Sequence, residues 1–272
     1  ERKVIKYYNI FKYQGFLLNK TNEQIEIDAI NYLKNTKDRF FEIYLKNCEP
    51  LENKTAIFTA GASGSGKTEF AEYILELEPN FIHLDIDSIR EYFTPLGYDG
   101  SNSKLFQKPS SWGVHFLFDE AVKKKNLSVI MDSNFSSLEL AKRNIKSLLK
   151  RGYNIEIYYI YNKLKKCFLY TKKREAITKR VVPEDIFFNS VVKSRETVIK
   201  IKNEYKENVI LNLIDKKAKM ISINTSTDIG ATVKIIESSI FSILIATNSA
   251  INIDTIKSMT PNWPISLFPI KR

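Results

Sequence analysis

The eight residues Gly61-Ala62-Ser63-Gly64-Ser65-Gly66-Lys67-Thr68 fill every fixed position of the pattern G-x-x-x-x-G-K-[ST]. Their types suit a polyphosphate. Glycines at this spacing let backbone N–H groups close in on phosphate oxygens, and a helix starting at the end of the loop adds its partial positive charge. Lys67 would then reach the β/γ-phosphates, and the Thr68 hydroxyl would be a ligand for Mg²⁺. The expected ligands are ATP or GTP with Mg²⁺.

A bound triphosphate does not define a reaction. Phosphoryl transfer also needs a group that receives the acceptor's proton and cations that neutralise the migrating phosphoryl. Asp85 and Asp87 flank one apolar residue at the end of the run Phe81-Ile82-His83-Leu84, with Arg90 one helical turn further on. They read as a site for an acceptor hydroxyl or a metal-bound water, or else Asp87 or Ser88 caps the following helix. Two carboxylates at one strand end favour a site, with Asp87 as the working group and Asp85 as its support. Asp132-Ser133-Asn134 ends another strand. It reads equally as a contact for substrate hydroxyls or metal-bound water and as an N-cap for the helix starting near Ser137. Arg174 and Arg180 lie in a basic segment. Such arginines either close over a transferred phosphoryl or are simply solvated. His83 and His115 are scattered and read as structural, forming no metal pattern.

The elements that must hold these residues alternate. A β-branched, apolar strand at 55–60 leads into the loop, and a helix at 69–75 leaves it. A strand at 81–84, a short helix at 88–92 stopping near Pro95, and a Gly/Ser/Asn/Lys-rich loop at 97–110 follow. The rest reads as a helix at 112–125, a strand at 127–131, a helix at 138–150 ended by Gly152, and a strand at 155–160. A basic helix at 163–179, a helix at 183–205, and strands at 209–214 and 220–223 around a turn at Lys216-Lys217 complete the pattern. Two helices broken near 35–37 precede it, between 22 and 47. This order predicts an α/β fold with a mostly parallel sheet flanked by helices, its strand ends gathered at one edge. The chain divides into an N-terminal helical segment (1–53), a P-loop core (54–223) and a C-terminal extension (224–272). The extension is rich in Ile, Ser, Thr and Asn, with one helix near 229–245 and prolines at Pro261, Pro264 and Pro269. It carries no assignable chemistry and reads as an accessory domain ahead of a docking element or a membrane-peripheral flap.

The 272 residues hold 42 Lys and Arg against 31 Asp and Glu, a net charge of +11. That excess suits anionic partners as well as it suits simple solubility. Cys48 and Cys167 form neither a metal spacing nor a disulfide framework, so a reducing, cytoplasmic compartment is expected, with a secreted effector acting in another cell's cytosol left open. No apolar run approaches a membrane span, the nearest being 240–246.

The loop, the Asp85/Asp87 pair and the strand order together resemble the zeta-toxin family of P-loop kinases, the toxin components of bacterial toxin–antitoxin pairs. The resemblance covers about 55–223. In that family a strand ending in D-x-D follows the loop, and its second aspartate is the catalytic base; here Asp87 stands 20 positions after Lys67. The resemblance matches Glu120 to an acidic residue on the next helix, and Asp132-Ser133-Asn134 to the acid and hydroxyl that hold the sugar. Gly152-Tyr153 matches a dipeptide opening the next strand, and Arg174 and Arg180, followed by Pro183, match two arginines. The family usually has glutamate and threonine where Asp132 and Asn134 stand, and a histidine–proline where this chain has Phe93-Thr94-Pro95.

The resemblance implies a kinase transferring the γ-phosphate of ATP or GTP to a small-molecule hydroxyl, with UDP-N-acetylglucosamine as the family's acceptor and an antitoxin or other regulatory protein as partner. Asp87, Lys67, Arg174 and Arg180 would be catalytic, and Asp85, Arg90, Glu120, Asp132 and Asn134 would face the acceptor. A polynucleotide 5′-kinase is the alternative that the charge suits, although no interleaved aromatic–basic platform for single strands is visible. A non-catalytic NTP-binding effector module is the other.

Overall fold

The computed structural model describes Leu17, residues 20–46 and 48–215, and the strand at 221–223. The turn expected at Lys216-Lys217 and the extension 224–272, with its helix near 229–245, lie outside the described residues.

Helices α1 (Asn22–Asn35) and α2 (Lys37–Leu45) come first. The Thr21 hydroxyl caps α1 by accepting from the Gln24 N–H at 3.2 Å, and the chain breaks at Thr36. Ile25, Ala29 and Leu33, four residues apart, form the buried stripe of α1 and join Phe40 of α2 in one cluster with residues of the sheet. The helices are also tied down by polar contacts. Tyr92 Oη donates to Thr36 Oγ1 at 2.7 Å, and Tyr44 Oη donates to the Ser88 carbonyl at 3.0 Å.

Strand β1 (Thr55–Ala60) enters the phosphate loop and α3 (Lys67–Leu77) leaves it. β2 (Ile82–Asp85) runs directly into the short α4 (Ile86–Glu91). α5 (Gln107–Phe118) continues into a wider π-helical turn (Asp119–Lys124), where the Lys125 N–H reaches back five residues to the Glu120 carbonyl. Then come β3 (Val129–Asp132), α6 (Leu138–Leu149), β4 (Asn154–Tyr161), α7 (Leu164–Thr178), α8 (Glu184–Tyr205), β5 (Ile210–Asp215) and β6 (Ile221–Ile223).

The sheet order is β2-β3-β1-β4-β5-β6, parallel except for β6, which pairs antiparallel with β5. This is the mostly parallel α/β arrangement that the sequence predicts. β1 lies at its centre, and its last five residues are buried, as a parallel strand covered on both faces must be. Connections leave β1 towards β3 on one side and β4 on the other, so the crevice at its C-terminal end falls where the phosphate loop starts. No described helix is long and apolar enough to cross a membrane.

One expectation needs correction. The stretch 97–110 is not an open loop: Tyr98 and Phe106 are buried, and α5 already begins at Gln107. Pro109 marks a break in the sequence, yet it falls in the first turn of α5, where a missing N–H costs no helical hydrogen bond.

Candidate active site

The phosphate loop has the backbone of an anion cradle. Gly61, Gly64 and Gly66 all have positive φ. At Gly64 a Cβ would lie 2.2 Å from the Cys167 carbonyl oxygen and 2.7 Å from Thr171 Oγ1, so α7 packs directly on the loop and leaves no room for a side chain. Two loop N–H groups are held by side chains: Gly61 donates to Ser194 Oγ at 2.7 Å and Ser63 to Ser190 Oγ at 2.9 Å. Both serines lie on α8, four residues apart on one face. Sequence reasoning missed them; their only mark is two small hydroxyls recurring at helical spacing among Phe187, Phe188, Val191 and Val198.

Lys67 folds back over the loop. Its Nζ donates to the carbonyls of Gly61 (3.1 Å) and Ala62 (2.7 Å), and the residue is 8% exposed. Burial pulls its pKa down to about 8, and Arg174 adds to this, against the charges of Asp132, Cys167 and Glu69. Ser65 Oγ is buried in the loop without a hydrogen-bond partner. An orphaned hydroxyl, a retractable ammonium and a side-chain-free cradle together fit a polyphosphate. Thr68 follows Lys67, partly buried at the start of α3.

Asp132 stands at the end of β3, beside β1. Its Oδ1 accepts from Thr59 Oγ1 at 2.8 Å, while Oδ2 lies 3.5 Å from His83 Nε2. Burial pushes its pKa up, but His83, Thr59 and Lys67 outweigh that and hold it below the usual carboxylate value. For His83, burial acts downward, and the Asp132 contact with the charges of Asp85 and Asp132 reverses it, so its pKa is raised. His83, read as structural, thus touches a candidate site residue. Asn134 Nδ2 reaches Ser63 Oγ at 3.4 Å, putting it at the rim of the loop. Oxygen ligands suit Mg²⁺, and the Thr68 hydroxyl is the group that could hold it. Among the described residues no cluster of three or more His, Cys, Asp or Glu forms a metal site by itself.

The second half of the site gathers on Asp87. Arg90 Nη1 donates to its Oδ1 and Arg180 Nη1 to its Oδ2, while Arg174 Nη1 lies 3.8 Å from Oδ2. The structure therefore brings together Asp87, Arg90, Arg174 and Arg180 from α4, α7 and the segment after α7. Arg90 also donates to Gln107 Oε1. Gln107 lay in the stretch read as a loop and was not anticipated.

Asp85 is the helix cap: Oδ1 accepts from the Asp87 N–H at 3.1 Å and Oδ2 from the Ser88 N–H at 2.8 Å. Burial, then the neighbouring Asp87 charge, raises its pKa. With both oxygens engaged, it supports Asp87 rather than presenting itself to a substrate. Glu120 is not brought to this cluster. It lies thirteen residues beyond Gln107, roughly 20 Å along a helical rise. Its Oε2 pairs with Lys124 Nζ at 2.8 Å, in a cavity of about 380 Å³ lined by Lys34, Lys37, Phe41 and Phe116.

Comparison with known proteins agrees with the fold. The sequence profile of the family described as Zeta toxin matches residues 40–228. No curated protein matches the chain by the comparison made against them. Among solved structures, a chain of the PezAT chromosomal toxin–antitoxin system of Streptococcus pneumoniae superposes with a TM-score of 0.59 at 15% identity, covering 84% of this chain and 93% of that one. The native AvrRxo1-ORF1:-ORF2 complex gives 0.55 at 12% identity, covering 88% and 76%. The same pair with ATP gives 0.51 at 14% identity, covering 74% and 64%. At these identities the structural likeness is one of fold.

Proposed function

The chain belongs to the zeta toxin family, and we propose that it is an ATP- or GTP-dependent kinase that phosphorylates a hydroxyl of a small molecule, a sugar nucleotide such as UDP-N-acetylglucosamine. The observation that carries this reading is the convergence of Arg90, Arg174 and Arg180 on Asp87 at the C-terminal end of β2. A carboxylate there can receive an acceptor's proton, and guanidiniums beside it can neutralise a migrating phosphoryl.

In the transfer, the acceptor oxygen forms a bond to the γ-phosphorus and the bond from that phosphorus to the β,γ-bridging oxygen breaks. The nucleoside diphosphate leaves with the bridging electron pair, and the acceptor proton passes to an oxygen of Asp87. Lys67 exchanges the Gly61 and Ala62 carbonyls for the β/γ-phosphates. Arg180 and Arg174 move from Asp87 onto the phosphoryl oxygens. Mg²⁺, when bound, neutralises phosphate charge, and Thr68 would hold it, with Asp132 acting through water. Asp132 and Asn134 orient the acceptor at the rim of the loop.

In this reading residues 54–223 are the catalytic unit, 1–53 is a helical segment whose α2 braces α4 through Tyr44, and 224–272 is an accessory segment. The working compartment is the cytoplasm. The partner is an antitoxin or another regulatory protein, a reading supported by the toxin–antitoxin system to which the PezAT neighbour belongs.

The test is label transfer from γ-labelled ATP with Mg²⁺ to UDP-N-acetylglucosamine, nucleosides and 5′-hydroxyl oligonucleotides, with Asp87→Ala alongside. Label on the sugar nucleotide, lost in the variant, is expected. Label on the oligonucleotide instead would make the protein a polynucleotide 5′-kinase, which the basic segment 163–180, with eight Lys and Arg against the single carboxylate Glu175, would serve. Tight nucleotide binding without any transfer would reduce it to an NTP-binding effector module.

A further inference from the structure

We infer that Arg90 is the positioning residue of Asp87, anchored by Gln107, and that it stays in place while Arg174 and Arg180 exchange partners. The inference rests on the kinase reading. It separates three arginines that chemistry alone makes equivalent.

Exposure separates them first. The Arg90 side chain is 3% exposed, against 22% for Arg180 and 40% for Arg174. A guanidinium so enclosed cannot follow a phosphoryl group or meet an acceptor, so what it contributes must pass through Asp87. Connectivity separates them next. Arg90 spends one nitrogen on Asp87 Oδ1 and the other on Gln107 Oε1, a planar fork fixed at both tines. Arg180 meets Asp87 through one nitrogen, from a segment of non-regular chain between α7 and α8. The division is also by oxygen. Arg90 holds Oδ1 and Arg180 holds Oδ2, so release of Arg180 frees one oxygen to take a proton while Arg90 keeps the carboxylate plane fixed.

Gln107 completes the strut. It stands in the first turn of α5, which packs against α4, so the rotamer of Arg90 is set by two helices rather than by its own side chain alone.

The experiment compares wild type, Arg90→Lys, Gln107→Leu and the double variant in label transfer from γ-labelled ATP to the acceptor panel above, with ATP affinity and melting temperature measured on each. Lysine keeps the charge and loses the fork; leucine at the exposed Gln107 removes the anchor with little risk to folding. Each single variant is expected to lower kcat by about 10- to 100-fold, because a small displacement of a reacting group costs that much. The dissociation constant for ATP and the KM for the acceptor should stay unchanged. The double variant should lose no more than Arg90→Lys alone, since both act through one chain of contacts. A raised acceptor KM at unchanged kcat would make Arg90 a substrate contact and overturn the inference, as would full-rate transfer in Gln107→Leu. If Arg90→Lys does not fold, Gln107→Leu decides alone. Wild-type protein that labels no acceptor removes the kinase reading and the inference together; wild-type transfer matched by both variants removes only the inference.

Discussion

Arg180 Nη1 donates to Oδ2 of Asp87, a residue 93 positions earlier in the chain. The two proposed catalytic groups therefore neutralise one another before a nucleotide arrives, and a phosphoryl group must compete for the guanidinium. Arg180→Ala is expected to lower transfer by about 10³-fold, the scale on which a transition-state arginine acts, with ATP affinity little changed. Arg180→Lys should recover little of the loss, because an ammonium lacks the planar fork. Single-turnover transfer with saturating ATP checks both.

Asp87→Asn removes more than a base. It keeps the shape but leaves the buried Arg90 guanidinium without its anion. Transfer should fall by about 10²- to 10⁴-fold, and the fold should lose about 3–5 kcal/mol from the uncompensated buried cation. Denaturant melts of Asp87→Asn against Arg180→Ala check the second effect. Arg180→Ala leaves an Asp87 carboxylate that is 34% exposed and still paired with Arg90, so that variant should unfold close to the wild-type midpoint.

Lys67 gives the pH dependence. Burial first, then Arg174, brings its pKa to about 8, below the ordinary 10.5. Below about 8 the folded protein carries a buried ammonium at a cost. As pH rises from there towards the unfolded value, the unfolded chain holds the extra proton and folding becomes more favourable. Relative to Lys67→Met, wild-type stability should therefore rise across that window. Phosphate binding reverses the shift by supplying anions, so nucleotide binding near pH 8 should take up a proton. Calorimetry in buffers of different ionisation enthalpy would show the uptake in wild type and not in Lys67→Met.

The half of the site built from local sequence was legible. A glycine-rich loop between a buried strand and a helix has few other physical uses, and Asp85 with Asp87 at a strand end marked the crevice. The register Asp85 to Asp132 across β2 and β3 puts those strand ends side by side. What stayed hidden depends on contacts between distant elements. Gln107 is adjacent to Arg90 only because α4 packs on α5, and its helix was masked by Pro109 and the polar residues before it. Glu120 was matched through family order, whereas the helical rise carries it well beyond the Asp87 cluster. Asp85 reads from the sequence as the support of Asp87, with the cap sought at Asp87 or Ser88; the N–H groups of those two residues instead put the cap on Asp85.

The serines of α8 show how such hidden contacts reach function. Ser194 is fully buried and accepts from the Gly61 N–H, while Ser190 accepts from the Ser63 N–H and donates to the Phe187 carbonyl at 2.6 Å. These bonds fix two loop N–H groups away from the ligand and set the path of the remainder. Ser194→Ala leaves the Gly61 N–H buried and unpaired, which should cost about 1–3 kcal/mol of stability. The loop then loses its fixed path, so ATP affinity should fall as well, while a variant on the outer face of the same helix, Lys193→Ala, should change neither. Melting temperature and ATP titration on the pair check this. A Ser194→Ala protein of wild-type stability and affinity would show that the loop holds its conformation without α8.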